Sequence, residues 1–220
     1  MKLTIFAATG RIGRSLVDQA LAAGHDVTAV VRNPSAFTVD VRTVTADLAD
    51  ADQATLETAV AGADAVLSGL GPRSLKDAGI TAPGTRAIVE AMRSTSVGRL
   101  IVVSAAPVST TPSPGRPNPP RDPGEGFITR TVLSPMIKTV LRKHYADLAR
   151  MEDLLRDSDL DWTSMRPPRL NDKPLTGTYR MAIEQSLRGG TLISRADVAH
   201  GILTALDRPD TIRKAVGIAW

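Results

Sequence analysis

Residues 3–13 read Leu3-Thr4-Ile5-Phe6-Ala7-Ala8-Thr9-Gly10-Arg11-Ile12-Gly13, and this stretch decides the fold class. Residues 3–8 form a short apolar, partly β-branched run of the kind that makes a buried strand. Over residues 11–23 the apolar positions Ile12, Leu16, Val17 and Ala20 recur at helical spacing, and Gly24 stops the helix. A strand, a glycine turn and a helix in that order aim the N–H groups of the helix amino end at an anion. Gly10 lets the turn approach a phosphate, and Gly13 admits close contact between helix and strand. Ala7 stands where such turns usually carry their first glycine, so an ordinary tight turn is the alternative reading.

The alternation continues outward. Residues 27–31, 41–45, 65–67 and 100–103 are further short apolar runs, too short and continuous for amphipathic helices. Between them, Asp50 and Gln53 form a capping-box pattern ahead of Leu56, Ala59 and Val60, and Ala87, Ile88, Ala91 and Met92 follow Pro83 at helical spacing. Strands alternating with helices predict an α/β, Rossmann-like, doubly wound and mostly parallel sheet with helices on both faces. The pattern breaks at residues 107–124, which hold seven of the 15 prolines. No regular element is expected there; the segment is either a surface insertion or a cover over a site at the carboxyl edge of the sheet. A long helix is expected from Ser134-Pro135, with Leu141, Leu148, Met151 and Leu155 inward. A sixth strand follows over 160–165, then the extended Arg166-Pro167-Pro168, a helix capped by Ser194 and Asp197, and an edge strand over 215–219. The expected organisation is a single domain over 1–220, with a Pro-rich loop at about 106–129 and a small substrate-side region at about 167–193.

Composition narrows the chemistry. The 220 residues are 42% hydrophobic but only 3% aromatic, so a ligand would be held mainly by aliphatic walls. With no Cys, disulfides, thiolate metal sites and a cysteine nucleophile are excluded. The 27 Lys and Arg against 23 Asp and Glu are scattered, which gives nucleic-acid binding no electrostatic support. No stretch reads as a signal sequence or a membrane span, and a cytoplasmic protein is expected. The three histidines, His25, His144 and His200, are too scattered for a shared metal site.

The end of the second strand sharpens the ligand. An acidic residue there usually binds a ribose diol, but Val30-Val31-Arg32-Asn33 offers a guanidinium suited to a 2′-phosphate. NADP(H) is therefore expected over NAD, with Arg11 as a second contact, unless both arginines merely decorate a solvated rim. Thr9 and Ile12 complete the turn. Asp47 and Leu48 follow the third strand toward the adenine edge. Ser68-Gly69-Leu70 would pass beneath the cofactor ribose, although turn chemistry explains either set as well.

Several stretches together resemble the atypical short-chain dehydrogenase group that includes the NmrA-like proteins and biliverdin reductase B, also called flavin reductase. They are residues 6–13 as an altered GATGxxG turn, Val30-Val31-Arg32, residues 68–71, Val103-Ser104-Ala105, residues 165–177 and residues 193–199. The resemblance covers almost the whole chain. It implies NADPH binding and, in catalytic members, hydride transfer to flavins or linear tetrapyrroles; quinones are related acceptors. It also implies that Ser104 stands near the reactive face, that Pro167 meets the cofactor, and that Pro168 and Arg169 meet the substrate. The chain departs from the group in two ways. Tyr145 is followed four positions later by Ala149, so the Tyr-x-x-x-Lys pair is absent, and Leu148 and Arg169 stand where the nearest reductase carries histidines. His144, one helical turn from Leu148, is the remaining candidate for a catalytic imidazole. A non-catalytic NADP(H) sensor of the NmrA-like type fits these departures as the alternative.

Overall fold

The computed structural model describes residues 1–72, 79–124 and 141–220. Its elements are β1 (Lys2–Phe6), α1 (Arg11–Ala22), β2 (Asp26–Val31), β3 (Arg42–Thr45), α2 (Gln53–Val60), β4 (Ala65–Ser68), α3 (Thr81–Ser94), β5 (Arg99–Val103), α4 (Arg142–Arg156), β6 (Asp161–Arg166), β7 (Arg169–Asn171), β8 (Arg180–Ile183), β9 (Leu192–Ser194), α5 (Arg195–Thr204) and β10 (Lys214–Ala219). The main sheet runs β3-β2-β1-β4-β5-β6-β10-β8, and β7 pairs with β9 in a separate small sheet. Every main-sheet pairing is parallel except that of β8 with β10. This is a Rossmann-like α/β fold. The strand order reverses between β1 and β4, so their carboxyl ends open a crevice.

Each central strand is apolar on both sides because both faces are covered. In β5, Ile101 and Val103 belong to the layer under α1 and α5, while Leu100 and Val102 belong to the layer under α2, α3 and α4. The run looks continuous in sequence but alternates faces in space, as a strand must. Helix α1 ends as expected: Gly24 has φ +77°, its N–H donates to the Leu21 carbonyl, and the His25 N–H reaches back to the Ala20 carbonyl.

Three expectations are corrected. Helix α2 is capped by Asp52, which accepts from the Thr55 N–H at 3.1 Å, and not by an Asp50-Gln53 box, because Gln53 is already the first helical residue. β10 lies between β6 and β8 and is no edge strand; β7, β8 and β9 are segments of three or four mixed residues, too short to announce themselves. The Pro-rich stretch is not wholly irregular, since a 3-10 turn over Ala106–Thr110 buries Val108, and Ser113 pairs with Arg116. The expected helix start at Ser134-Pro135 lies outside the described residues, as does the end of the Pro-rich loop.

Two carboxylates tie down that stretch. Asp153 of α4 accepts from the Ser113 hydroxyl and the Gly115 N–H, both at 2.9 Å. Asp122 accepts from the Gly124 N–H at 2.9 Å and from the backbone N–H and hydroxyl of Ser186 at 2.9 and 2.7 Å. A third carboxylate, Asp197, organises the chain after β7. It accepts from the Thr176 and Gly177 N–H groups, the Ser194 hydroxyl and the Trp220 indole.

Candidate functional site

A cleft of about 510 Å³ opens at the carboxyl ends of β1, β2, β4 and β5, a size typical of ligand pockets. The turn after β1 forms its floor, where Ala7, Thr9, Gly10, Arg11 and Ile12 all line it. Ala7 has φ 56°, in the left-handed region where glycine is at ease and alanine is strained. Its carbonyl accepts from the Gly10 N–H at 2.8 Å. A Cβ on Gly13 would stand 2.2 Å from that carbonyl oxygen, so no side chain fits there. Gly13 is buried behind the turn and does not line the cleft. The amino end of α1 carries neither a side-chain cap nor an acidic residue in its first turn, so its positive end is uncompensated by the chain.

On the β2 and β3 side, Arg32, Asp47 and Leu48 line the cleft. Arg32 is exposed and makes no hydrogen bond or ion pair among the described residues. Arg11 differs: its guanidinium meets Asp172 at 3.1 Å, and Asp172 also takes Arg195 at 2.7 Å. The Asp47 carboxylate turns back to accept from the Ala49 N–H at 3.1 Å. Gly69 and Leu70 line the middle; Ser68 is buried beneath them and accepts from the Leu70 N–H.

On the β5 side stand Ser104, His144, Leu148 and Leu170. His144 is half-buried, and its Nδ1 has no hydrogen-bond partner among the described residues. Burial pushes its pKa down against the raising effect of Asp147, which favours a neutral ring near pH 7. Ser104 donates to Oε1 of Glu152 at 2.9 Å. The same oxygen accepts from the Ser164 hydroxyl at 2.9 Å and Arg166 Nε at 2.8 Å, while Oε2 accepts from Arg166 Nη2 and from Arg156 Nη2 at 2.9 Å. Burial works against a charge on Glu152, but Arg166, Arg156 and Ser104 outweigh it and hold its pKa below the ordinary glutamate value.

Besides Gly13 and Ser68, three more of the expected residues do not line the cleft. Pro167 is buried and does not line the cleft; its carbonyl accepts from the Ala106 N–H at 2.8 Å. Pro168 is half-buried and Arg169 exposed, and neither lines the cleft, because the alternation of β7 presents Leu170 to it instead. None of the described residues of the Pro-rich stretch reaches the cleft. Sequence reasoning missed Glu152, Arg166 and Arg195. The signal for Glu152 was a carboxylate between Met151 and Leu155 on the inward stripe of α4, where a charge needs buried partners.

Fold and cleft together define a dinucleotide-binding protein of the doubly wound class. A family described as NAD(P)H-binding matches residues 7–209, and the chain belongs to it. That match does not single out the NmrA-like or biliverdin reductase B branch. Among solved structures, a candidate exported protein of Burkholderia pseudomallei is 27% identical with a TM-score of 0.78, and each chain covers 100% of the other. A wide-type short-chain dehydrogenase/reductase of Veillonella parvula DSM 2008, solved in complex with NADP, is 21% identical with a TM-score of 0.77 over 100% of this chain and 94% of its own. A candidate NADH-flavin reductase of Streptococcus pneumoniae TIGR4 is 24% identical with a TM-score of 0.75 over 100% and 99%. No helix among the described residues is long and apolar enough to cross a membrane, and no described group of His, Asp and Glu could hold a metal ion.

Proposed function

We propose that the protein is an NADPH-dependent oxidoreductase acting on a flavin or a related conjugated acceptor such as a quinone, in a single domain and in the cytoplasm. The observation that supports the cofactor choice is Arg32: a cleft-lining guanidinium just past β2, with no hydrogen bond or ion pair among the described residues, is free to meet a 2′-phosphate. The residues fit a dinucleotide in three respects. Gly13 leaves no room for a side chain beneath the turn, the α1 amino end is uncapped, and the cleft reaches from Arg32 to Ser104. Ala7, Thr9, Gly10, Arg11 and Ile12 would hold the pyrophosphate, Arg32 the 2′-phosphate, Asp47 and Leu48 the adenine edge, and Gly69, Leu70 and Ser104 the ribose and nicotinamide side. Gly13, Ser68 and Pro167 would support that wall from behind.

Bound there, a nicotinamide supplies a hydride to a conjugated ring, while the proton comes from solvent or an adjacent acid. The chain's own part is positioning and exclusion of water. Leu148 and Leu170 provide aliphatic walls, His144 offers an unpaired nitrogen, and Arg169, exposed on β7 next to the cleft-lining Leu170, would meet a phosphate or propionate of the acceptor. NADPH oxidation measured across flavins, quinones and linear tetrapyrroles tests this reading. Acceptor-dependent oxidation with at least one class supports it; tight NADPH binding with no oxidation by any of them contradicts it. That second result would favour a nucleotide sensor, a reading supported by Tyr145, which is buried in α4 without a lysine four positions on.

A further inference from the structure

Ser104 lines the cleft at the carboxyl end of β5, and its hydroxyl proton has one place to go. Glu152 lies 1% exposed behind it, and its two oxygens together accept five hydrogen bonds, from Ser104, Ser164, Arg156 and twice from Arg166. An ionised carboxylate only accepts, and two arginines beside it favour that ionised state. The bond from Ser104 to Glu152 is charge-assisted and stronger than a neutral bond to a ligand. Turned toward the cleft, the Ser104 oxygen therefore has only lone pairs to offer.

We propose that Glu152 is a positioning residue that holds the Ser104 hydroxyl as a hydrogen-bond acceptor facing the cleft, so that the site takes a ligand group bearing an N–H at that point. Ser104 is then not the proton donor for the reduced acceptor. The inference rests on the dinucleotide reading and deepens it. Two groups share the required chemistry: the carboxamide NH2 of a nicotinamide and the imide N–H of a flavin-like ring.

The test uses binding, with the intact protein. NADPH and its 3-acetylpyridine analogue, in which a methyl replaces the carboxamide NH2, are titrated in parallel. If the carboxamide is the donor, the wild type binds NADPH roughly 3- to 10-fold tighter than the analogue, the worth of one hydrogen bond. Ser104→Ala binds the two equally. Glu152→Gln also loses the preference, because a hydroxyl released from the carboxylate can donate to the ketone. Glu152→Asp keeps a charge for the arginines while drawing it back from Ser104, and gives the same loss should Glu152→Gln fail to fold. A second arm titrates a flavin and its N3-methyl derivative into the NADP+ complex, and the same loss of preference there identifies the imide as the donor. A purely structural Glu152 would weaken both members of each pair together and leave the ratio intact, which overturns the proposal. So does a wild type that discriminates in neither arm. Failure of the wild type to bind NADPH at all overturns the cofactor reading beneath it.

Discussion

Ala7 sits in a backbone conformation that costs a non-glycine residue about 1 kcal/mol or more. Ala7→Gly relieves that strain but adds freedom to the unfolded chain, so a net gain of about 0–1 kcal/mol is expected by urea denaturation, with cofactor binding retained. Gly13 offers no such latitude. Gly13→Ala drives a methyl into the Ala7 carbonyl, and either the turn or the helix must move. NADPH affinity should fall by about tenfold or more while far-UV circular dichroism at 20–25 °C stays that of an α/β protein; unchanged affinity would remove the turn from the binding site. Both glycines of the turn were legible from sequence. The strain at Ala7 was visible only as an absent glycine, because a φ value is a property of the folded backbone.

Among the elements, the Pro-rich stretch is where composition says least about what holds the chain. Seven prolines left a surface insertion and a cover over the site both open, and Asp153 and Asp122 tie its described part to α4 and to the loop after β8. Each tie joins groups distant in sequence, Asp153 with Ser113 and Gly115, and Asp122 with Ser186, so no local pattern could reveal them. Burial opposes the Asp122 charge, but the hydrogen bonds from Ser186, Ser109 and Gly124 prevail and lower its pKa. A depressed folded pKa contributes stability that is complete above the unfolded value, about 3.9, and is lost as pH falls below it toward the folded one. Asp122→Ala should thus cost about 1–3 kcal/mol at pH 7 and less near pH 3, as read by denaturation at the two pH values. An equal cost at both would contradict the charged tie. Glu152 on α4 was missed for a related reason: its helix looked amphipathic, and the arginine that neutralises it arrives from β6.

Across the whole molecule, β1, β2, β4 and β5 were legible as short apolar runs bounded by turns or helices, while the mixed β3 and β6 were legible from their β-branched residues and their place in the alternation. β7, β8 and β9 were not, since three or four mixed residues such as Arg180-Met181-Ala182-Ile183 take strand form only when a neighbour such as β10 supplies the ladder. The core between the layers holds the cleft's strands in register. Leu100, fully buried in β5, should cost about 2–5 kcal/mol when changed to Ala, whereas Leu175, 46% exposed, should cost under about 0.5 kcal/mol. Thermal or urea unfolding checks both, and similar losses would place the core elsewhere.

The proposed preference for a 2′-phosphorylated dinucleotide rests on Arg32, which lines the cleft just past β2 and makes no hydrogen bond or ion pair among the described residues. Dissociation constants of NADPH and NADH for the wild type and Arg32→Ala measure this most directly. The expected result is a wild type that prefers NADPH, with Arg32→Ala weakening NADPH by about 10- to 100-fold and NADH by less than about 3-fold. Equal weakening of both, or no change in either, would contradict it.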